Sequence, residues 1–373
     1  MKNVIIFGAA AKGLQLKRYL EQSKAYKVCC FCDNNPKKWK ETLDGLSIIS
    51  IDDAEAFSQD GFQGIFILAV NHPEQIVEQI QNKGRFSLPV YGVLWECIQQ
   101  NFKDQVMSET ALYMIDVSKP YLDYFEYHVS DHCNLKCRGC GHYSNIAKPQ
   151  FGDLESYRRD IRRLKELFWG VKKIRLMGGE PLLNLKLPEF ISDTRSIFPD
   201  ADIMVVTNGL LIPEADDKLL KTMHKKFVRF DISLYPPTNE IKERIELKCI
   251  EYGVSFCFSD LIEQFFDNIN YRGDSNQEDA FARCGSNHCH FLEKGKISVC
   301  GLPILYKKLQ DRLDWDVQIE DRDIIDLYDK DLDGRKLNDL LSKPMPACRY
   351  CSDNKAKMFQ WQGNYPYFDK INE

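Results

Sequence analysis

The chain has 373 residues, with 50 Lys and Arg against 55 Asp and Glu and a net charge of −5, so its charge gives no reason to expect a nucleic-acid partner. This length predicts more than one hydrophobic core, and apolar runs such as 65–70 are too short to span a membrane. The N-terminus carries no export signal, so we expect a cytoplasmic protein whose 14 cysteines serve mainly as cluster ligands and buried thiols.

Residues 1–100 carry the pattern of a Rossmann-like, doubly wound α/β domain. A Gly-rich turn from Gly8 to Gly13 leads from an apolar run into an amphipathic one, and Asp33 follows the next apolar run. This order is that of a dinucleotide-binding βαβ unit, in which Gly8 and Gly13 approach a phosphate and Asp33 holds a ribose, although Ala10 replaces the central glycine. The predicted elements are strands over 3–7, 26–32, 64–70 and 89–94 and helices over 14–22 and 73–83.

The segment Asp33-Asn34-Asn35-Pro36 follows the second predicted strand. It resembles the Rossmann-like domain of sugar O-acyltransferases and other nucleotide-sugar or surface-polysaccharide enzymes, where Asp-Asn-x-Pro stands at this place. The alternative is a relic fold that mediates oligomerisation or positions a partner. Cys29, Cys30 and Cys32 alternate faces along the predicted strand, so we expect them to be core residues rather than ligands.

A dense cysteine loop follows the predicted linker 101–122 and a strand over 124–129. Cys133, Cys137 and Cys140 lie too close together for cytosolic disulfides and predict a metal site. A [4Fe-4S] cluster normally takes four thiolates, so three leave one iron open to a substrate or cofactor. Zinc, with His132 or His142 as the fourth ligand, is the alternative.

The spacing Cys-x3-Cys-x2-Cys resembles the signature of the radical S-adenosylmethionine (SAM) superfamily. The resemblance implies that the open iron of the cluster chelates SAM and reduces it to a 5′-deoxyadenosyl radical, which takes hydrogen from a substrate. Helices and strands alternate after the loop, which predicts a parallel sheet. In this family that pattern implies a partial (β/α)6 barrel, here over residues 123–275.

The second strand of this region ends in a Gly-Gly-Glu-Pro sequence that looks like the family motif holding the methionyl ammonium of SAM. The third strand ends in Thr207-Asn208-Gly209 and the fourth in Asp231-Ile232-Ser233, where the family lines the site and reaches the SAM ribose. Ordinary turn chemistry is the alternative for these strand ends. The residues assigned to SAM are Gly178, Gly179, Glu180, Pro181, Asn208 and Ser233.

One position departs from the family pattern. The residue before the third cysteine is usually aromatic and lies near the adenine, but here it is Gly139. His142 and Tyr143 are the predicted substitutes.

Residues 276–373 form a small Cys-rich C-terminal extension. Its cysteine spacing resembles the shortened auxiliary-cluster, or twitch, extension of radical SAM enzymes, and no cysteine after 351 supplies the additional ligands of a SPASM extension. The resemblance implies a second [4Fe-4S] cluster on Cys284, Cys300, Cys348 and Cys351, with Cys289 either spare or the first ligand in place of Cys284. A structural zinc is the alternative. The Asp- and Lys-rich segment 309–341 is predicted to be a solvated insertion.

These patterns predict an enzyme that reductively cleaves SAM and abstracts hydrogen from a sugar or nucleotide-sugar C–H bond, with a reductase such as flavodoxin or ferredoxin as electron donor. The net reaction is oxidation, epimerisation or elimination, and Cys257 is the candidate hydrogen donor in an epimerase. A buried structural thiol is the alternative role for Cys257. The competing functions are peptide or protein modification and a zinc-binding nucleotide sensor.

Overall fold

The computed structural model describes residues 1–104, 111–313, 315–351 and 357–368. The chain divides into two compact units, residues 1–121 and 122–373. The elements of the first unit are strands β1 (Lys2–Phe7), β2 (Tyr26–Cys32), β3 (Thr42–Leu43), β4 (Leu46–Ile49), β5 (Gly64–Leu68), β6 (Val90–Val93) and β7 (Leu112–Ile115), with helices α1 (Ala11–Gln22), α2 (Ile51–Gln59), α3 (Pro73–Lys83) and α4 (Trp95–Asp104).

The first unit is a seven-stranded sheet in the order β3-β4-β2-β1-β5-β6-β7. Strand β1 lies between β2 and β5 and runs parallel to both, which explains why Val4 to Phe7 form a continuous buried apolar run. On the neighbouring strand, Cys30 and Cys32 are buried. The predicted α/β fold is therefore confirmed.

Part of the segment predicted as a linker belongs to this sheet. Strand β7 pairs antiparallel with β6, from Leu112 opposite Val93 to Ile115 opposite Val90. Residues 105–110 of the predicted linker lie outside the described residues.

The second unit contains the cysteine loop and the Cys-rich extension. Its strands are β8 (Tyr121–Ser130), β9 (Gly170–Gly178), β10 (Asp202–Thr207), β11 (Arg229–Ile232), β12 (Phe256–Phe258), β13 (Gln264–Asp267), β14 (Phe291–Glu293), β15 (Lys296–Ser298), β16 (Ile325–Asp326) and β17 (Lys357–Gln360). Its helices are α5 (Leu154–Leu167), α6 (Leu187–Ile197), α7 (Asp217–Lys225), α8 (Pro236–Glu240), α9 (Lys242–Tyr252), α10 (Gln277–Arg283), α11 (Leu302–Leu309) and α12 (Gly334–Leu341).

An eight-stranded sheet, in the order β12-β11-β10-β9-β8-β14-β15-β16, organises this unit. Strands β9 to β12 pair in parallel with their neighbours, so their carboxyl ends meet at one edge. Alternation along β9 separates the two faces: Ile174 and Leu176 join the hydrophobic core, whereas Arg175 and Met177 line cavities. The sheet thereby directs polar side chains from its strands toward the cysteine loop.

The segment 309–341 is not a solvated insertion, and that prediction was wrong. Leu313, Trp315 and Val317 are buried, and the Trp315 ring packs against three tyrosines, Tyr271, Tyr306 and Tyr350. The segment contains many charged residues, and a few apolar side chains on irregular backbone nevertheless reach the core. No helix in the described part of the chain is long and apolar enough to cross a membrane.

Candidate functional site

The three cysteines of the cysteine loop, residues 131–140, line one cavity of ≈ 290 Å³. We call it the loop cavity. Five of the residues predicted to contact SAM or to lie near it border the same space. They are Gly178, Gly179, Asn208, Ser233 and His142.

The two glycines let the end of β9 lie directly against the start of the cysteine loop. A Cβ on Gly178, whose φ is +133°, would overlap the carbonyl oxygen of Ser130, and one on Gly179 would overlap that of His132. The Gly179 N–H donates to Ser130 O over 2.7 Å, and the Glu180 N–H donates to His132 O over 3.0 Å. Any larger residue would push the loop away from the strand.

Glu180 joins the ends of β9 and β10. Its buried carboxylate accepts hydrogen bonds from Leu182 N at 3.0 Å, Thr207 Oγ1 at 2.7 Å and Asn208 N at 3.0 Å. Burial raises the pKa of Glu180 to about 7, although these hydrogen bonds oppose the shift. The Glu180 side chain lies outside the cavity wall, so its contact with SAM stays a prediction. Pro181, the next residue, begins a short 3-10 helix, Pro181–Leu183.

Asn208 connects β10 to the cysteine loop. Its Nδ2 donates to Asn134 Oδ1 over 2.8 Å and lies 3.6 Å from Cys133 Sγ. Asn134 was not predicted, because an Asn between two loop cysteines carries no signal of its own. Together Asn134 and Asn208 fix the first cysteine relative to the strand.

Among the loop cysteines, Cys137 is buried, whereas Cys133 and Cys140 are partly buried. Burial raises the pKa of Cys133 to about 11 and that of Cys137 to about 12. The indole N–H of Trp361 donates to Cys137 Sγ over 3.2 Å, a contact between residues 224 positions apart that the sequence did not predict.

A second cavity of ≈ 330 Å³ separates the loop from the C-terminal cysteines. Buried Glu126, from β8, and Arg175, from β9, stand in its wall, and Tyr124 donates to Glu126 Oε2 over 2.5 Å. Burial raises the pKa of Glu126 to about 7. Arg175 Nη2 donates to Asp231, while its buried Nε has no hydrogen-bond partner among the described residues. The cysteines that border this cavity are Cys140, Cys284, Cys289, Cys300 and Cys351.

Electrostatic neighbours distinguish Cys284 from Cys289. Burial raises the pKa of Cys300 well above its usual range, and the nearby thiols of Cys351, Cys348 and Cys284 raise it further. The largest influences on the pKa of Cys289, after burial, are Glu126 and Arg175. Among the described residues, no three Cys, His, Asp or Glu side chains are gathered as ligands for a single metal ion.

His142 and Tyr143, the predicted substitutes for an aromatic residue at 139, occupy different places. His142 borders both cavities and lies 2.8 Å from the His128 ring, measured from Nδ1 to Nε2, whereas buried Tyr143 borders only the second cavity. Burial lowers the pKa of His142 to about 3, so its ring is neutral. Tyr235, which the sequence analysis did not select, also borders the loop cavity.

Cys257, the candidate hydrogen donor, is exposed on β12 and lies outside the walls of both cavities. Its sulfur lies 3.5 Å from both Arg229 Nη1 and Asp231 Oδ1. A donor role for Cys257 stays a prediction.

In the first unit, the residues predicted to bind a nucleotide, Gly8, Gly13 and Asp33, make contacts within the turn and beside it. A Cβ on Gly13 would overlap the carbonyl oxygen of Gly8, so the glycines allow α1 to pack closely on β1. The Asp33 Oδ2 atom accepts hydrogen bonds from Ala9 N at 3.0 Å and Lys38 Nζ at 2.7 Å. The Asp33 carboxylate therefore ties the turn together, and binding of a ribose there stays a prediction.

Comparison with known proteins fits this geometry. Residues 127–251, which hold the cysteine loop, the Gly-Gly-Glu-Pro turn and the ends of β10 and β11, match the radical SAM superfamily. The match lies within the second unit, and this family uses a [4Fe-4S] cluster and SAM. Residues 1–85 match a second family, described as C2185-like, N-terminal.

Two curated relatives match this chain over a third of its length or less. A GTP 3′,8-cyclase of Syntrophomonas wolfei is 33% identical over 127 residues, which are 33% of this chain and 38% of the relative. A GTP 3′,8-cyclase of Geobacter sulfurreducens is 34% identical over 103 residues, which are 27% of this chain and 31% of the relative. The chain thus spans less than two fifths of the length of either protein.

Solved structures show more distant likenesses. BtrN in complex with AdoMet and 2-DOIA is 18% identical, with a TM-score of 0.39 over 64% of this chain and 95% of BtrN. UDP-D-quinovosamine 4-dehydrogenase from Vibrio fischeri is 22% identical, with a TM-score of 0.25 over 31% of this chain and 95% of that protein.

The residues of the loop cavity fit the two cofactors of this family. Three thiols border a single space, and the same space is bordered by a glycine turn in which any added Cβ would overlap the loop. Three thiolates are the donor set that leaves one iron of a cubane cluster without a protein ligand.

Proposed function

We propose that this protein is a radical SAM enzyme that removes hydrogen from a C–H bond of a sugar or nucleotide-activated sugar. The observation that carries the proposal is the loop cavity, where Cys133, Cys137 and Cys140 border the same space as Gly178 and Gly179. When bound, the cluster and SAM supply a 5′-deoxyadenosyl radical. The three thiolates hold the cluster, and the flat glycine turn leaves room for the methionyl group.

Other residues of the loop cavity position the cofactor. Asn208 holds the loop through Asn134, and Ser233, at the end of β11, presents a hydroxyl group to the same space. Glu180 contributes by locking the ends of β9 and β10 together. The two curated relatives described above are GTP 3′,8-cyclases. Their names support the proposed enzyme class without fixing this chain's substrate.

The second cavity is the proposed substrate site. Cys140 of the loop borders it, as do Cys284, Cys300 and Cys351, so a substrate there would lie close to both groups of cysteines. The guanidinium group of Arg175 and the carboxyl group of Glu126 belong to residues that line this cavity. Such donors and acceptors suit a hydroxylated substrate, and the apolar ring of Phe368 in the same wall helps to exclude water.

We assign a second [4Fe-4S] cluster to Cys284, Cys300, Cys348 and Cys351, within a twitch-like extension over residues 276–373. The electrostatic coupling of Cys300 to the other three supports this set, and it favours Cys284 over Cys289. Such a cluster would accept the substrate electron in a net oxidation or anchor the substrate. A flavodoxin or ferredoxin of the cytoplasm is the proposed electron donor.

Anaerobic reconstitution with iron and sulfide tests the cofactors. We expect about eight irons per wild-type chain and about four in a Cys133/Cys137/Cys140→Ala variant, which also loses formation of 5′-deoxyadenosine from SAM under reductant. Cys284→Ala should lower the iron content, whereas its matched control Cys289→Ala should not. Zinc without iron, or no cleavage of SAM by the wild-type protein, would refute the proposal.

Deuterium transfer tests the substrate class. Incubation with C-deuterated sugars and nucleotide sugars should place deuterium in 5′-deoxyadenosine for at least one of them. Transfer from deuterated peptides and from none of the sugars would show a peptide-modifying enzyme instead.

A further inference from the structure

A C-terminal segment, residues 357–368, lies over the cysteine loop. We call it the strap. Its first part, β17, pairs antiparallel with β13, and the remainder hydrogen-bonds to the loop backbone. The bonds run from Arg138 N to Gln362 O at 2.8 Å, from Asn364 N to Leu135 O at 2.9 Å and from Tyr365 N to Lys136 O at 2.9 Å. The strap is thus joined to the loop by three backbone hydrogen bonds.

The side chains of Asn145 and Arg138 make further contacts with the strap. Asn145 Nδ2 donates to the carbonyl oxygens of Tyr365 and Tyr367, at 3.1 and 2.8 Å. The Arg138 guanidinium lies over the rings of Phe359 and Tyr365, 5.4 Å from each centroid. The strap is therefore fixed in place relative to the three cysteines.

Trp361 is the strap residue that reaches a predicted ligand. Its Nε1 donates to Cys137 Sγ over 3.2 Å, and its ring stacks on Tyr235 with centroids 5.8 Å apart and planes inclined by 23°. Tyr235 is held in turn by an edge contact with Phe265, with centroids 5.9 Å apart. The aromatic packing fixes the indole with its N–H directed at the sulfur.

Two of the loop sulfurs, those of Cys133 and Cys137, differ in their hydrogen-bond donors. The Cys133 sulfur lies 3.4 Å from Leu135 N, which belongs to the loop itself. It lies 3.6 Å from Asn208 Nδ2, which follows the end of β10. Cys137 instead receives its side-chain donor from the far end of the chain. An N–H donated to a ligand sulfur stabilises negative charge on it, and a cluster gains such charge when it is reduced.

We propose that Trp361 is a positioning residue for the cluster on Cys133, Cys137 and Cys140: its N–H raises the reduction potential of that cluster, and its ring shields Cys137 from solvent. The inference rests on the proposed function, because it presumes iron at these cysteines. It concerns reduction of the cluster alone and needs no substrate.

The test is an anaerobic redox titration of the reconstituted full-length protein, followed by electron paramagnetic resonance without SAM or substrate. Trp361→Phe removes the N–H but keeps an aromatic ring, so we expect the midpoint potential of the loop cluster to become more negative. The auxiliary cluster of the same sample should be unchanged. Trp39→Phe, which removes an indole N–H that donates to Asp33 O in the first unit, is the matched control. Equal potentials for wild type and Trp361→Phe would overturn the proposal.

A second measurement isolates the shielding by the ring. Trp361→Ala should release iron from the loop cluster to a chelator about tenfold faster than wild type, since changes in residues that support metal ligands weaken metal binding to this extent. Trp361→Phe should release it at nearly the wild-type rate. Unchanged release from Trp361→Ala would overturn the shielding role, whereas absence of iron from the wild-type protein would instead refute the proposed function.

Discussion

Two glycine-containing turns in this molecule look alike in sequence but have different surroundings. In the first unit, the turn after β1 holds Gly8 and Gly13, and Asp33 lies beside it. In the second unit, the turn after β9 holds Gly178 and Gly179, followed by Glu180. In both, a glycine permits close backbone packing and a carboxylate accepts hydrogen bonds from the protein itself.

The difference lies in what the glycines approach. Gly13 approaches the carbonyl of its own turn, so the close contact serves helix packing. Gly178 and Gly179 approach Ser130 and His132, at the start of a loop with three thiols. A glycine turn therefore indicates a functional site only when a chemically active segment lies opposite, and substitutions in the two turns test this distinction.

The largest expected effect is that of Gly179→Ala. The new Cβ would overlap His132 O, and displacement of the loop should remove the loop cluster's iron and abolish SAM cleavage. Gly13→Ala is the matched change, because its Cβ would overlap Gly8 O in the first unit. It should destabilise that unit by more than about 1 kcal/mol while iron content per folded chain and SAM cleavage persist. Loss of iron in both variants, measured with thermal unfolding, would contradict the comparison.

The next effect concerns pH and Glu126, a buried carboxylate on the strand that leads to the cysteine loop. Tyr124, Arg175 and Cys289 surround it, and burial raises its pKa from 4.5 to about 7. The folded state binds this proton more tightly than the unfolded state, so the stabilising contribution is complete below pH 4.5 and is lost as pH rises toward 7.

That contribution amounts to about 3 kcal/mol, because each pKa unit corresponds to about 1.4 kcal/mol. Denaturant unfolding of the iron-free protein should therefore show that Glu126→Gln becomes more stable relative to wild type as the pH rises from 5 to 8. A difference between the two proteins that is independent of pH would show that Glu126 keeps an ordinary pKa.

The smallest effects are those of removing charge from the two turn carboxylates. At pH 8, Glu180→Gln should cost about 1–3 kcal/mol, because an amide N–H₂ would face the donating Asn208 N–H in a buried site. Asp33→Asn should cost about 1 kcal/mol or less, since the Lys38 partner is partly exposed. Urea unfolding measures both, and an equal cost would show that burial does not distinguish the two turns.

The local sequence predicted those features that depend on neighbours along the chain. The sequence placed several features at one edge of the sheet, because the carboxyl ends of parallel strands meet there. These features are the cysteine loop, the glycines after β9 and the polar strand ends at Asn208 and Ser233, and they border one cavity. The alternation of strands and helices likewise predicted the α/β fold. The buried role of Glu180 was not readable, because its partners Thr207 and Asn208 belong to the next strand.

By itself, then, the sequence predicted the class of chemistry that we propose, since a ligand set within one loop and a turn within one βα unit need only local geometry. The tertiary structure alone decided what surrounds that chemistry: Trp361 at Cys137, Glu126 and Arg175 in the second cavity, and Trp315 in the core of a charged segment. These residues act through contacts between distant parts of the chain. Their positions follow from strand order and packing, which no local pattern of residues records.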